Sequence, residues 1–119
     1  MLQMFEPGDV LIFQLESGYA LLHVLAVDGS ESDPVWHVAV YGDFFPDVES
    51  AEAALSGLSG LTRSSPHIAL TNRAFESTQV ARIANIPLEQ VDLEPLSAWR
   101  GNADGPISDR SVRLMMGLR

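Results

Sequence analysis

Apolar residues in this chain come in short runs divided by clusters of glycine, proline, serine and acid, a punctuation that predicts strands more than helices. Asp9 to Leu15 (DVLIFQL) is the first run, opened by Pro7-Gly8 and closed by Glu16-Ser17-Gly18, a turn whose glycine is free to take positive φ. Tyr19 to Asp28 (YALLHVLAVD) predicts a second strand. The two lie too close in sequence for a parallel crossover, which needs about a dozen residues, so they pair as an antiparallel hairpin. Asp28 to Pro34 (DGSESDP) is a loop, and Val35 to Tyr41 (VWHVAVY) completes a three-stranded meander. In the second strand, Tyr19, Leu21, His23, Leu25 and Val27 fall on one side and Ala20, Leu22, Val24 and Ala26 on the other. Apolar on both sides, it is a central strand, covered twice or curled into a small barrel.

Gly42 to Pro46 (GDFFP) breaks the sheet, and Asp47 is a good N-cap for a helix over Val48 to Leu55, with Glu49 and Glu52 near the positive end of its dipole. Ser56 to Ser65 is Gly/Ser-rich and predicts a loop. His67 to Thr71 and Val80 to Ile86 predict two further strands joined by Asn72 to Gln79. Within Leu88 to Arg100, Pro95 forbids one uninterrupted helix, which leaves a turn or strand end and then a short helix through Trp99. Ser108 caps a last helix over Asp109 to Met116, with Val112, Met115 and Met116 at helical spacing. The order β-β-β-α-β-β-α predicts a mainly β, α+β fold: a small, strongly bent antiparallel sheet or a partly open SH3-like barrel with two or three short helices.

Length keeps this to one domain. A chain of 119 residues, 46% of them hydrophobic, buries about two thirds of its unfolded surface, enough for one core over residues 1–119. The absence of cysteine excludes a disulfide framework, a zinc-thiolate site and a cysteine nucleophile. The start shows no basic leader ahead of an apolar stretch, and the longest apolar run, Tyr19 to Val27, is far short of the roughly 20 residues a spanning helix needs. A soluble, cytoplasmic protein is expected.

Charge is where the chain becomes unusual. Residues 1–62 hold ten acids and no lysine or arginine, about -10, whereas residues 63–119 hold six acids against seven arginines, about +1. Such a field repels a phosphate backbone, so direct binding of nucleic acid is disfavoured, none is expected as a partner, and a basic protein is favoured. The segment Tyr41 to Glu52 (YGDFFPDVESAE) carries the best binding signature. Phe44 and Phe45 are adjacent and point opposite ways in an extended segment, so one anchors the core and the other stands among Asp43, Asp47, Glu49 and Glu52. An apolar anchor ringed by charges that steer the encounter is how interface hot spots are built.

Catalytic signatures are missing. No G-x-S-x-G elbow precedes Ser56-Gly57 or Ser59-Gly60, and Gly57, Gly60 and Arg63 lack the spacing and lysine of a phosphate loop. Asp43, Asp47 and Glu49 do not follow the alternate-position pattern of a calcium loop. His23, His37 and His67 all fall in expected strands without metal-ligand spacing, so neither metal nor cofactor is expected.

Several motifs taken together resemble the bacterial immunity protein 26 group over about residues 8–88. They are Gly8-Asp9-Val10, Leu15, Gly18-Tyr19, Val24-Leu25 and Val40-Tyr41 ahead of an acidic helix, then Asn72-Arg73-Ala74-Phe75 and Val80 to Leu88 (VARIANIPL). Thr78-Gln79 stands where that group has a basic or aromatic residue. The resemblance implies a small non-enzymatic protein of toxin-neutralising background that acts by binding protein, and it carries over no catalytic residue. The expectation is therefore an acidic, non-catalytic binding module that meets a basic partner through Asp43, Phe44, Phe45, Asp47, Glu49 and Glu52. The alternative is a small-ligand barrel or weak hydrolase that uses His23 or His37 near a carboxylate.

Overall fold

Near-continuous apolar runs, whose successive side chains point to opposite sides, build a sheet with two greasy faces, and the helices divide the work of covering them. In the computed structural model, which describes residues 5–16, 18–30, 32–56, 61–102 and 105–115, the strands are β1 (Asp9–Leu15), β2 (Gly18–Ser30), β3 (Asp33–Tyr41), β4 (Arg63–Thr71) and β5 (Ala81–Asn85). The helices are α1 (Val48–Ala54), α2 (Asn72–Thr78), α3 (Gln90–Arg100) and α4 (Val112–Met115). The strand order is β4-β3-β2-β1-β5, every neighbouring pair is antiparallel, and β4 and β5 remain edges, so the sheet is not closed. The expected meander is the first three strands, and β2 is central.

One face carries Leu11, Phe13, Leu22, Val24, Trp36, Val38 and Leu70, sealed by Phe75 of α2 and Val112 of α4. The Trp36 and Phe75 rings stack at 4.0 Å, and Trp36 Nε1 donates to Asn72 Oδ1 at 2.9 Å. The other face is covered in two places: Val10, Ile12, Leu21 and Tyr41 lie with Ala51 of α1, and Leu25 and Ala39 lie under Leu96 of α3.

A bulge changes which residues share these faces. The β2–β3 register runs Val24↔Val38 and then Ala26↔His37, so Leu25 is an extra residue on β2. Strict alternation puts Ala26 with Ala20 and Leu22. The bulge instead brings Ala26 onto the Leu25–Ala39–Leu96 side, carries Asp28 there two residues on, and places Val27 opposite Trp36.

Four expected boundaries are corrected. Asn72 to Gln79 is a helix and no mere connection: Thr71 Oγ1 caps it by accepting from the Ala74 N–H at 3.1 Å, and Gln79 ends it at φ 58°. Strand β4 begins at Arg63, inside the expected loop, whose residues 57–60 lie outside the described residues. Pro95 sits inside one continuous helix α3. It forfeits only the bond to the Val91 carbonyl, while Leu93 and Leu96 pack on the sheet and Asp92 Oδ2 accepts from the Glu89 N–H at 2.8 Å at the helix start. The last helix begins at Val112 and not at Asp109 because the Ser108 backbone is held elsewhere: its N–H donates to the Ala69 carbonyl at 2.8 Å and its carbonyl accepts from Thr71 at 2.9 Å, which adds residue 108 beside β4. Met116 lies outside the described residues. No helix among the described residues is long and apolar enough to cross a membrane.

Candidate functional site

The acidic segment leaves the sheet at the end of β3 and is pinned back onto it. Tyr19 and Phe45 exchange backbone hydrogen bonds at 2.8 and 2.9 Å, and Gly18 permits this because a Cβ there would lie 2.6 Å from the Phe45 carbonyl oxygen. Phe45 packs against the Val10–Ile12–Leu21–Tyr41 cluster, whereas the neighbouring Phe44 ring is 58% exposed. The two rings have thus separated into an anchor and a solvent-facing group. Asp43 Oδ2 accepts from the Thr62 N–H at 2.7 Å, which fixes the loop between β3 and α1 to the start of β4. Asp47 caps α1 by accepting from the Ser50 N–H at 2.7 Å, and those hydrogen bonds hold its carboxyl below the ordinary aspartate range. Glu49 and Glu52 are exposed on α1, and Val48 beside them is partly exposed.

A second constellation assembles on the covered sheet face, and its members come from three strands and a helix. The bulge at Leu25 aims Asp28 at His37, whose Nε2 lies 2.9 Å from Asp28 Oδ2. His37 Nδ1 in turn lies 2.8 Å from His67 Nε2, on the neighbouring strand β4. The carboxylate accepts only, so His37 must donate through Nε2 and accept at Nδ1 from the His67 Nε2–H. His67 Nδ1 is left as a lone pair that makes no hydrogen bond among the described residues. Arg100 Nη2 donates to Asp28 Oδ1 at 2.6 Å, and the Trp99 ring lies edge-on to His37 at 4.8 Å and tilted to His67 at 5.7 Å. Trp99 is held by its Nε1 donating to the Pro106 carbonyl at 2.9 Å and by Gly105, where a Cβ would meet the indole at 2.7 Å.

Electrostatics keep both imidazoles neutral at pH 7. Burial pushes His37 down despite the pull of Asp28, and burial together with His37 pushes His67 down to about 4. Burial works to raise Asp28, but the hydrogen bond and charge of Arg100, with His37, outweigh it and hold its carboxyl below the usual value. His23 shares the face with His37 but not the network. Its Nε2 donates to the carbonyls of Gly8 at 3.1 Å and Ile86 at 3.0 Å, and its buried Nδ1 has no partner among the described residues. Among the described residues no group of three or more His, Asp or Glu side chains is placed to hold a metal ion.

Local sequence assigned Asp28, Trp99 and Arg100 no functional role and raised His67 only as a metal ligand. The signal available was an aspartate at a strand end and a histidine in each of two neighbouring strands; the missing piece was the bulge that puts them on one face. Fold and site together define an open antiparallel sheet with an aromatic-bearing acidic segment and an Asp–His–His chain whose middle member, His37, is buried while Asp28 and His67 are part-exposed. Comparison with protein-family models, curated proteins and solved structures gives no match.

Proposed function

We propose that this chain is a non-catalytic protein-binding module, of the immunity type that its motifs resemble, and that it receives a basic partner on the segment from Asp43 to Glu52. The observation that carries the reading is Phe44: an aromatic ring 58% exposed, held in place by the Tyr19–Phe45 backbone pair, on a segment whose only charged residues are Asp43, Asp47, Glu49 and Glu52. An exposed aromatic gains most by being covered, and carboxylates beside it accelerate the approach of a cationic surface.

The test is capture from a lysate of the source organism at low and high salt, with three baits. A protein held at equal stoichiometry by the wild type at low salt, released at high salt, and lost from both Phe44→Ala and a D43N/D47N/E49Q/E52Q variant is the expected result. Asparagine at 43 and 47 keeps the acceptors for Thr62 and Ser50. A charge-matched control, E6Q/E16Q/D33N/E76Q, should retain the protein; equal loss in that control would show that net charge, and not this segment, does the binding.

The Asp28–His37 contact favours a second reading, hydrolysis with His67 as the terminal base of the chain. It predicts turnover of p-nitrophenyl acetate above the buffer rate that disappears in His67→Gln. A wild-type rate equal to buffer removes it.

A further inference from the structure

A cleft of about 450 Å³ opens between the end of β3, the start of β4 and the start of α3, lined by Tyr41, Leu61, Arg63, Ile86, Pro87, Glu89, Val91 and Asp92. Its volume falls within the range of small-molecule sites. Its polar groups are fixed before any ligand arrives. Arg63 Nη2 donates to Asp92 Oδ1, and the guanidinium carbon stands 5.7 Å from the Tyr41 ring centroid. Asp92 spends its other oxygen on the Glu89 N–H at 2.8 Å. A guanidinium has five N–H donors, and no acceptor besides Asp92 engages Arg63 among the described residues. The Glu89 side chain is exposed at the helix start.

The apolar side of the cleft is equally well held. The Ile86 N–H donates to the Gly8 carbonyl at 2.8 Å while the Ile86 carbonyl accepts from His23 at 3.0 Å, so this wall is tied to the sheet from both ends. Pro87 stiffens the exit from it. Val91 is 62% exposed, an apolar side chain on the rim with little of its surface covered. Leu61 packs toward the Tyr41 cluster on the opposite side.

The charges on these walls select the ligand. A simple anion meets two carboxylates against one guanidinium, and a simple cation meets Arg63. A molecule that carries both charges a few bonds apart, with an apolar remainder, satisfies all of them. From this lining we infer that the cleft binds a small zwitterion with an apolar side chain, a free hydrophobic α-amino acid. Its carboxylate takes the spare Arg63 donors, its ammonium faces Glu89, and its side chain lies on Leu61, Ile86 and Val91. This site is separate from the Phe44 surface and does not rest on the partner-binding reading.

The experiment is an amide chemical-shift titration of the labelled chain with L-leucine, L-phenylalanine and L-tryptophan, beside 3-phenylpropionate and 2-phenylethylamine, which each keep one charge. A saturable shift from at least one amino acid, centred on Tyr41, Leu61, Arg63 and Val91, with at least tenfold weaker response to both single-charge compounds, is expected. Arg63→Gln should weaken it about tenfold or more, and Arg73→Gln, remote from the cleft, should leave it unchanged. Because Arg63 also pairs with Asp92, Val91→Glu supplies an independent block at an exposed position. No saturable shift from any of the three amino acids, equal response to either 3-phenylpropionate or 2-phenylethylamine, or shifts centred elsewhere would each overturn the assignment.

Discussion

Phe75→Ala costs about 3–5 kcal/mol of folding stability, the range for deleting a fully buried aromatic ring. Phe75 has no accessible surface, stacks face to face on Trp36 at 4.0 Å, and meets the Phe5 ring edge-on at 5.9 Å. Removing it takes away the one large side chain by which α2 covers the Leu11–Leu22–Val38–Leu70 face, and it unstacks a tryptophan whose Nε1 is tied to the same helix through Asn72. The neighbours cannot collapse into the space, because Trp36 is fixed at its far end. Urea titrations read the effect as a lower midpoint at unchanged slope. Phe44→Ala supplies the contrast: the same chemical change at an exposed ring moves stability by less than about 0.5 kcal/mol. A loss below about 1 kcal/mol for Phe75→Ala would mean that α2 is not needed to seal this face.

Acid should unfold the chain earlier than its charge suggests. His23, His37 and His67 all have pKa values lowered from 6.5, each with burial as the first cause. Between that value and the folded-state values, the unfolded chain binds more protons than the folded one, so stability falls as pH falls. The contribution is complete above about pH 6.5 and is lost on the way down to about 4, where His67 titrates in the folded protein. His67 alone sets an upper bound of about 3 kcal/mol at 1.36 kcal/mol per unit, reduced by its partial exposure to solvent. Below 3.8 a further loss follows as Asp28, held low by Arg100 and His37, takes a proton.

The opposing tendency makes this decisive. Protonation shrinks a net charge of -9, which relieves self-repulsion and by itself stabilises the compact state. Urea midpoints between pH 7.5 and 4.5 should fall monotonically, and His67→Gln should flatten the slope. A constant or rising midpoint, or histidine resonances that titrate near 6.5, would show that the three rings are not held neutral by the fold.

Much of the fold was legible because strands advertise themselves locally. The runs 9–15, 19–28 and 35–41 are bounded by turn residues, and an apolar pattern on both sides of the second run marked it as central. The helices were harder, for reasons that differ. In α2 only Ala74, Phe75 and Thr78 face the core, too few positions to show a helical period beside a strand that ends at Thr71. In α3, Pro95 argued locally against a helix that tertiary packing of Leu93 and Leu96 sustains. For Phe44 and Phe45, adjacency guaranteed that the rings part, but nothing local said which one the sheet keeps; the Gly18 approach to Phe45 decides it.

The sequence by itself determined the acidic half, the three-stranded start, the absence of thiol chemistry and the capping of α1 by Asp47, since each depends on composition or on neighbours a few residues apart. Tertiary structure alone decided the Asp28–His37–His67 chain and the Arg63 cleft. A single inserted residue, Leu25, reverses the parity of everything after it on β2, and only the register against β3 reveals that insertion. Groups far apart in the chain, His37 and His67 separated by 30 positions and Arg63 and Asp92 by 29, meet because strands and helices pack, and no local pattern records that meeting.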